Sequence, residues 1–202
     1  SSRAGVRRFK SGSLHTGSSG LFLSASSCSG LSFGRAATTE TAISRRSVPV
    51  TEAMKPALFV QDIQNTWLYD ADSNQELRRS VEKRLDVINE AIAWFRKRML
   101  PVIVGYTEDV EHGLVPGTRS YEVPDTVQVK KTDPSVSKRN ANAFANPELS
   151  AILRRESCDT LVIVGLSASG CVLATYFSAP DFGIRPYLLK GGVASSDEGH
   201  VR

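Results

Sequence analysis

Leu161-Val162-Ile163-Val164-Gly165-Leu166-Ser167-Ala168-Ser169-Gly170-Cys171-Val172 decides the fold. Its first half is a short, uninterrupted apolar run rich in β-branched residues, which is what a strand buried on both faces requires. A Ser/Gly turn follows, then a segment from about Gly170 to Ser178 that reads as a helix. The order strand, turn, helix puts Cys171 where the strand gives way to the helix. Unpaired backbone N–H groups and the positive end of the helix dipole gather at such a place, and they favour a thiolate and can bind an oxyanion. Cys171 is therefore a candidate nucleophile, against the alternative that it is a small buried hydrophobe.

The same alternation extends outward in both directions. Ala57–Val60 is a second buried apolar run, ending in Gln61-Asp62, and Pro101–Gly105 is a third. Between them Leu77, Val81, Leu85, Ile88, Ile92 and Phe95 recur at intervals of three and four, which predicts one amphipathic helix between Ser73 and Arg98. Thr126–Val129 alternates like a strand, Pro147–Arg155 reads as a helix opened by proline, and Arg185–Leu189 reads as a last strand. Strands alternating with helices predict an α/β domain of three layers, α/β/α, with a parallel sheet and right-handed crossovers. Ligands of such sheets lie beyond the carboxyl ends of the strands, where Asp62 and Cys171 fall. The Gly- and Pro-containing stretch Thr107–Pro124 is long for a connection and is expected to shape a site.

The chain has 202 residues, 41% of them hydrophobic and 23% charged, with a net charge of +4. Residues 1–50 hold seven Arg or Lys and one acid, Glu40, so the basicity belongs to this segment and the remainder is slightly acidic. That distribution argues against a nucleic-acid-binding face. No apolar run approaches the roughly 20 residues of a membrane helix. Residues 1–54 form a basic Ser/Gly/Arg-rich segment that reads either as an organelle transit peptide or as a low-complexity tail, and residues 55–202 form the domain that holds these strands and helices. Three cysteines, Cys28, Cys158 and Cys171, without metal-type spacing point to a reducing, intracellular setting, mitochondrial or other organelle if the segment targets and cytoplasmic otherwise.

Three blocks in order give the chain a resemblance to the isochorismatase-like cysteine hydrolases, closest in style to the N-carbamoyl-amide hydrolases among them. They are Ala57-Leu58-Phe59-Val60-Gln61-Asp62-Ile63-Gln64-Asn65, then Lys138-Arg139-Asn140-Ala141-Asn142-Ala143-Phe144, then Gly165 to Thr175 around Cys171. The resemblance implies a triad in which Asp62 accepts the thiol proton, Cys171 attacks a carbonyl carbon and Lys138 supports the charged pair, with Lys131 as the reserve lysine. An ammonium beside the thiol is expected to lower its pKa. The resemblance further implies an oxyanion hole from the N–H groups of Ser167 and Cys171 after a cis Leu166-Ser167 peptide, and a homo-oligomer. Asn65, Trp67, Tyr106 and Tyr121 are the candidate substrate-lining residues.

Nicotinamidases of the family carry an Asp/His metal cluster. The corresponding region here offers only Glu108, Asp109, Glu111 and His112, while His15 and His200 fall in the tail and at the C-terminus, so no metal and no cofactor are expected. Cysteine-dependent hydrolysis of a small amide or other C–N bond is the expected activity. Vinyl-ether hydrolysis of isochorismate and a non-catalytic binding or scaffold role are the alternatives, the last because relatives usually continue past the position of Arg202 with a further helix and strand.

Overall fold

In the computed structural model, residues 54–70 and 74–201 are described. Five strands build one all-parallel sheet in the spatial order β3-β2-β1-β4-β5. The strands are β1 (Pro56–Gln61), β2 (Val102–Thr107), β3 (Ser135–Lys138), β4 (Thr160–Gly165) and β5 (Arg185–Val193). The first strand in the chain is thus the middle strand in space. From it the chain builds outward through β2 to β3, then crosses back to lay β4 on the other side of β1. A crevice opens at this reversal, between the carboxyl ends of β1 and β4.

Alternation along β1 divides the core into two layers. Ala57 and Phe59 pack with Ile103, Phe144, Leu149, Ile152, Leu153, Ile163 and Val172, under α4 (Pro147–Arg155) and α5 (Leu173–Ser178). Leu58 and Val60 point the other way, to Leu77, Val81, Ile88, Ile92, Phe95 and Val164 beneath α2 (Gln75–Glu82) and α3 (Leu85–Lys97). A short helix, α1 (Asn65–Leu68), leaves β1. Side chains as fully buried as Phe59, Ile88 and Ile163 contribute about 1.5–3 kcal/mol each. The expected three-layer α/β/α architecture is present.

Three expectations change in detail. The single helix between Ser73 and Arg98 is two helices. The Arg84 N–H turns back to the Val81 carbonyl at 2.8 Å, and the Arg84 guanidinium donates to the Ser80 carbonyl at 2.8 Å and to both Glu198 oxygens at 3.1 and 3.0 Å. That tight turn re-aims the apolar stripe, so α2 and α3 each face the sheet. Thr126–Val129 is no strand. Its backbone is held by side chains of α3, with Asn89 donating to the Thr126 carbonyl and accepting from the Gln128 N–H, both at 2.9 Å. The ladder position beside β2 goes instead to Ser135–Lys138, whose register sets Thr107 opposite Lys138. The helix expected from about Gly170 begins at Leu173, after a wide turn over Ala168–Val172 in which Gly170 is non-helical (φ −125°, ψ −109°).

Among the described residues no helix is long and apolar enough to cross a membrane. The basic segment at residues 1–54, with Cys28 and His15, lies outside the described residues except for Met54.

Candidate active site

Four strands each deliver one polar group to the crevice. Asp62 follows β1, Thr107 ends β2, Lys138 ends β3, and Cys171 lies in the turn that follows β4. The β1 exit bends through a left-handed backbone at Asp62 (φ +57°), a conformation that Asp tolerates better than most residues, with its N–H on the Gly105 carbonyl at 2.9 Å. Gly165 ends β4 at φ +116°, and a Cβ there would lie 2.0 Å from the Gln61 carbonyl oxygen, so this position takes glycine alone. The chain then passes through Leu166-Ser167, a cis peptide, into the wide turn. The Ser167 carbonyl collects the N–H groups of Gly170 at 3.0 Å and Val172 at 3.2 Å, which curls the backbone around Cys171.

At the centre lies a buried ion pair. Lys138 Nζ is 2.9 Å from Asp62 Oδ2, with both side chains at most 2% exposed. The Thr107 hydroxyl bridges the same two groups, donating to Asp62 Oδ1 at 3.0 Å and accepting from Lys138 Nζ at 2.9 Å. Gln61 adds a longer contact from Nε2 to Asp62 Oδ2 at 3.3 Å. Two charges removed from water are tolerable only when paired and hydrogen-bonded, and this pair is both.

Cys171 is half-buried and near enough to Asp62 and Lys138 for both charges to act on its thiol. Its pKa is raised, first by burial and then by the Asp62 carboxylate, with Lys138 pulling only partly the other way. Lys138 pulls the thiol pKa down, as expected of an ammonium, but burial and the Asp62 carboxylate together outweigh it. The resting group is a thiol, and ionising it calls for a base in contact.

Lys138 rather than Lys131 occupies the site, since Lys131 is exposed on the loop before β3. Tyr106 and Tyr121 stack at 4.8 Å between ring centroids and 8° between planes, and burial pushes the Tyr106 phenol up to about 12. Asn65 spends its carboxamide on the Arg119 carbonyl at 2.8 Å, and Trp67 packs against the α2/α3 core layer. In the region compared with a metal cluster, His112 Nδ1 meets Asp109 Oδ2 at 2.8 Å while Glu108 pairs with Arg139. Among the described residues no three His, Cys, Asp or Glu side chains are grouped to hold a metal ion.

Sequence reasoning passes over two residues of this site. Thr107 and Gln64 do not titrate, and Thr107 is placed only by the β2/β3 register. Gln64, fully buried, accepts from the Thr107 N–H at 2.9 Å and donates to the carbonyls of Thr107 and Tyr121, both at 3.0 Å. Its place in the string Asp62-Ile63-Gln64-Asn65 was the available signal.

A cavity of about 550 Å³ lies elsewhere, lined by Met54, Val87, Trp94, Val162, Tyr187 and Leu189. It opens at the amino ends of the strands, where Pro56 pairs with Thr160, and carries none of the groups just described.

Comparison with known proteins agrees with this geometry. The family model for the isochorismatase domain matches residues 56–202. An isochorismatase family protein of Bacillus subtilis (strain 168), YddQ, is 28% identical over 133 residues, covering 64% of this chain and 72% of the relative. The crystal structure of N-carbamoylsarcosine amidase from Thermoplasma acidophilum superposes with a TM-score of 0.62 at 28% identity, covering 70% of this chain and 85% of that one. Nicotinamidase SaPncA from Staphylococcus aureus shares the fold, with a TM-score of 0.60 at 22% identity over 73% of this chain and 89% of that one. With the family model matching residues 56–202, this chain belongs to the isochorismatase family of hydrolases.

Proposed function

We propose that this hydrolase cleaves a small amide or related C–N bond through a thioester on Cys171. The observation that carries the reading is a buried Asp62–Lys138 pair, 2.9 Å apart, at the strand ends beside one half-buried thiol on which both charges act. A thiol that stays protonated is a poor nucleophile unless a base touches it, and Asp62 is that base.

Asp62 takes the thiol proton as Cys171 Sγ bonds to the substrate carbonyl carbon. The charge that moves to the carbonyl oxygen is met by the N–H groups of Ser167 and Cys171. The C–N bond breaks, and the proton on Asp62 passes to the leaving nitrogen. Water then attacks the thioester, Asp62 receives its proton, and the acid product leaves as the proton returns to the thiolate. Lys138 stays paired with Asp62 and balances its charge between steps. Similarity to an N-carbamoylsarcosine amidase supports a C–N bond as the target.

The test is a hydrolysis screen of small amides, N-carbamoyl amino acids and isochorismate on the wild type and on Cys171→Ala. Replacing Cys171 should lower amide turnover at least about a thousandfold, and a thioester adduct on Cys171 should be seen by mass in the wild type. Full amide turnover by Cys171→Ala would end this reading. Isochorismate turnover that survives the substitution would assign the site to acid-dependent vinyl-ether chemistry instead.

A further inference from the structure

We propose that Thr107 is a positioning residue of this site: its hydroxyl holds the Lys138 ammonium between Asp62 and Cys171, so that Asp62 stays open to the thiol proton. The inference rests on the reading of Asp62 as the base for Cys171 and deepens it.

The hydrogen-bond inventory carries the argument. An ammonium has three N–H donors and a carboxylate two acceptor oxygens. Lys138 gives one donor to Asp62 Oδ2 at 2.9 Å and one to Thr107 Oγ1 at 2.9 Å, and its charge also acts on the Cys171 thiol. Asp62 Oδ1 is engaged by the Thr107 hydroxyl at 3.0 Å. Without that hydroxyl, two groups that water cannot reach have one partner fewer each. The ammonium then closes on both carboxylate oxygens, a tighter pairing that draws it off the thiolate it favours and occupies the Asp62 oxygen that takes the thiol proton. Thr107 prevents the collapse by occupying Oδ1 and accepting the second N–H in one group.

The hydroxyl is itself held with unusual completeness. Thr107 is in register with Lys138 across the β2/β3 ladder. Its N–H and carbonyl are both taken by the Gln64 carboxamide, at 2.9 and 3.0 Å. The remaining Gln64 N–H goes to the Tyr121 carbonyl at 3.0 Å, so every polar bond of a fully buried glutamine serves this one strand end and the loop beside it. Such an arrangement fixes Thr107 Oγ1 to a fraction of an ångström, the tolerance that proton transfer needs.

The experiment needs no substrate. Iodoacetamide labelling of the full chain is followed by peptide mass at Cys171 and Cys158 for wild type, Thr107→Val and Thr107→Ser. Cys158 is buried and reports the fold. Thr107→Val should slow labelling at Cys171 roughly tenfold or more while Cys158 stays protected, and Thr107→Ser should restore the wild-type rate to within about threefold. Once a substrate is in hand, Thr107→Val should lower kcat with KM nearly unchanged. A wild-type Cys171 rate in Thr107→Val, or a Thr107→Ser as slow as Thr107→Val, overturns the proposal. If Thr107→Val exposes Cys158, Thr107→Ala is read by the same criteria, and exposure of Cys158 there too makes the hydroxyl a fold element and likewise overturns it. The underlying mechanism fails separately, by amide turnover in Cys171→Ala.

Discussion

The two ends of the sheet are opposites. At the carboxyl ends, Asp62, Thr107, Lys138 and Cys171 converge, and the two buried charges, Asp62 and Lys138, are paired with each other. At the amino ends a roomy cavity of about 550 Å³ carries Trp94, Tyr187 and Leu189 on its walls and has no such polar centre. Size alone would send a search to the wrong end. What separates them is the direction of the strands: in a parallel sheet every chain leaves the barrier of buried backbone on the same side, so polar side chains brought by distant segments meet only there.

The contrast can be broken most forcefully by removing one buried charge. Lys138→Met should destabilise the domain by about 3–5 kcal/mol in urea unfolding, because Asp62 is left buried and unpaired, whereas Asp62→Asn/Lys138→Met should lose clearly less than Lys138→Met. A loss below about 1 kcal/mol for Lys138→Met would mean that the carboxyl end is no more demanding than the other.

A smaller effect concerns the thiol. Burial and the Asp62 carboxylate both oppose the thiolate, so the alkylation profile of Cys171 should reach half its plateau at a pH above that of an ordinary cysteine. Asp62→Asn removes the opposing charge while Lys138 stays, and it should bring that midpoint down. A midpoint that fails to fall would show Asp62 out of contact with the sulfur.

The smallest effect belongs to the amino end. Trp94 is 46% exposed and stacks under the Arg98 guanidinium at 3.8 Å. Trp94→Ala should cost about 1 kcal/mol or less and leave the Cys171 labelling rate unchanged. A changed rate would show the two ends to be coupled.

How much of this was legible follows from what each segment must satisfy. β1 and β4 are continuous apolar runs buried on both faces, so composition alone declares them. β3 is four residues long and reads Ser-Val-Ser-Lys, with one buried apolar residue, and no local pattern separates it from a loop. Thr126–Val129 misled in the opposite sense. Val127 is buried and alternates correctly, but the backbone bonds a strand would make go to Asn89 and Arg96 on α3. The break at Arg84 depends on Glu198, far along the chain, and no window of the helix contains it. Asp62 and Cys171 were visible because they stand where apolar runs end. Thr107 was not, because its role exists only after β2 and β3 are in register.

The order of assembly carries a consequence of its own. β1, the first of these five strands to be made, is the centre of the sheet and is completed on its second edge only when β4 has been made. The contacts that join Asp62 to Lys138 and Cys171 are therefore among the most non-local in the chain, and closing such loops is the slow, entropically costly part of reaching the native state. A slip of one residue between β2 and β3 would turn Lys138 to the opposite face and offer Ser137 in its place. A chain whose sheet is unfinished or misregistered accordingly lacks the Asp62–Lys138 pair, so that pair marks the finished sheet.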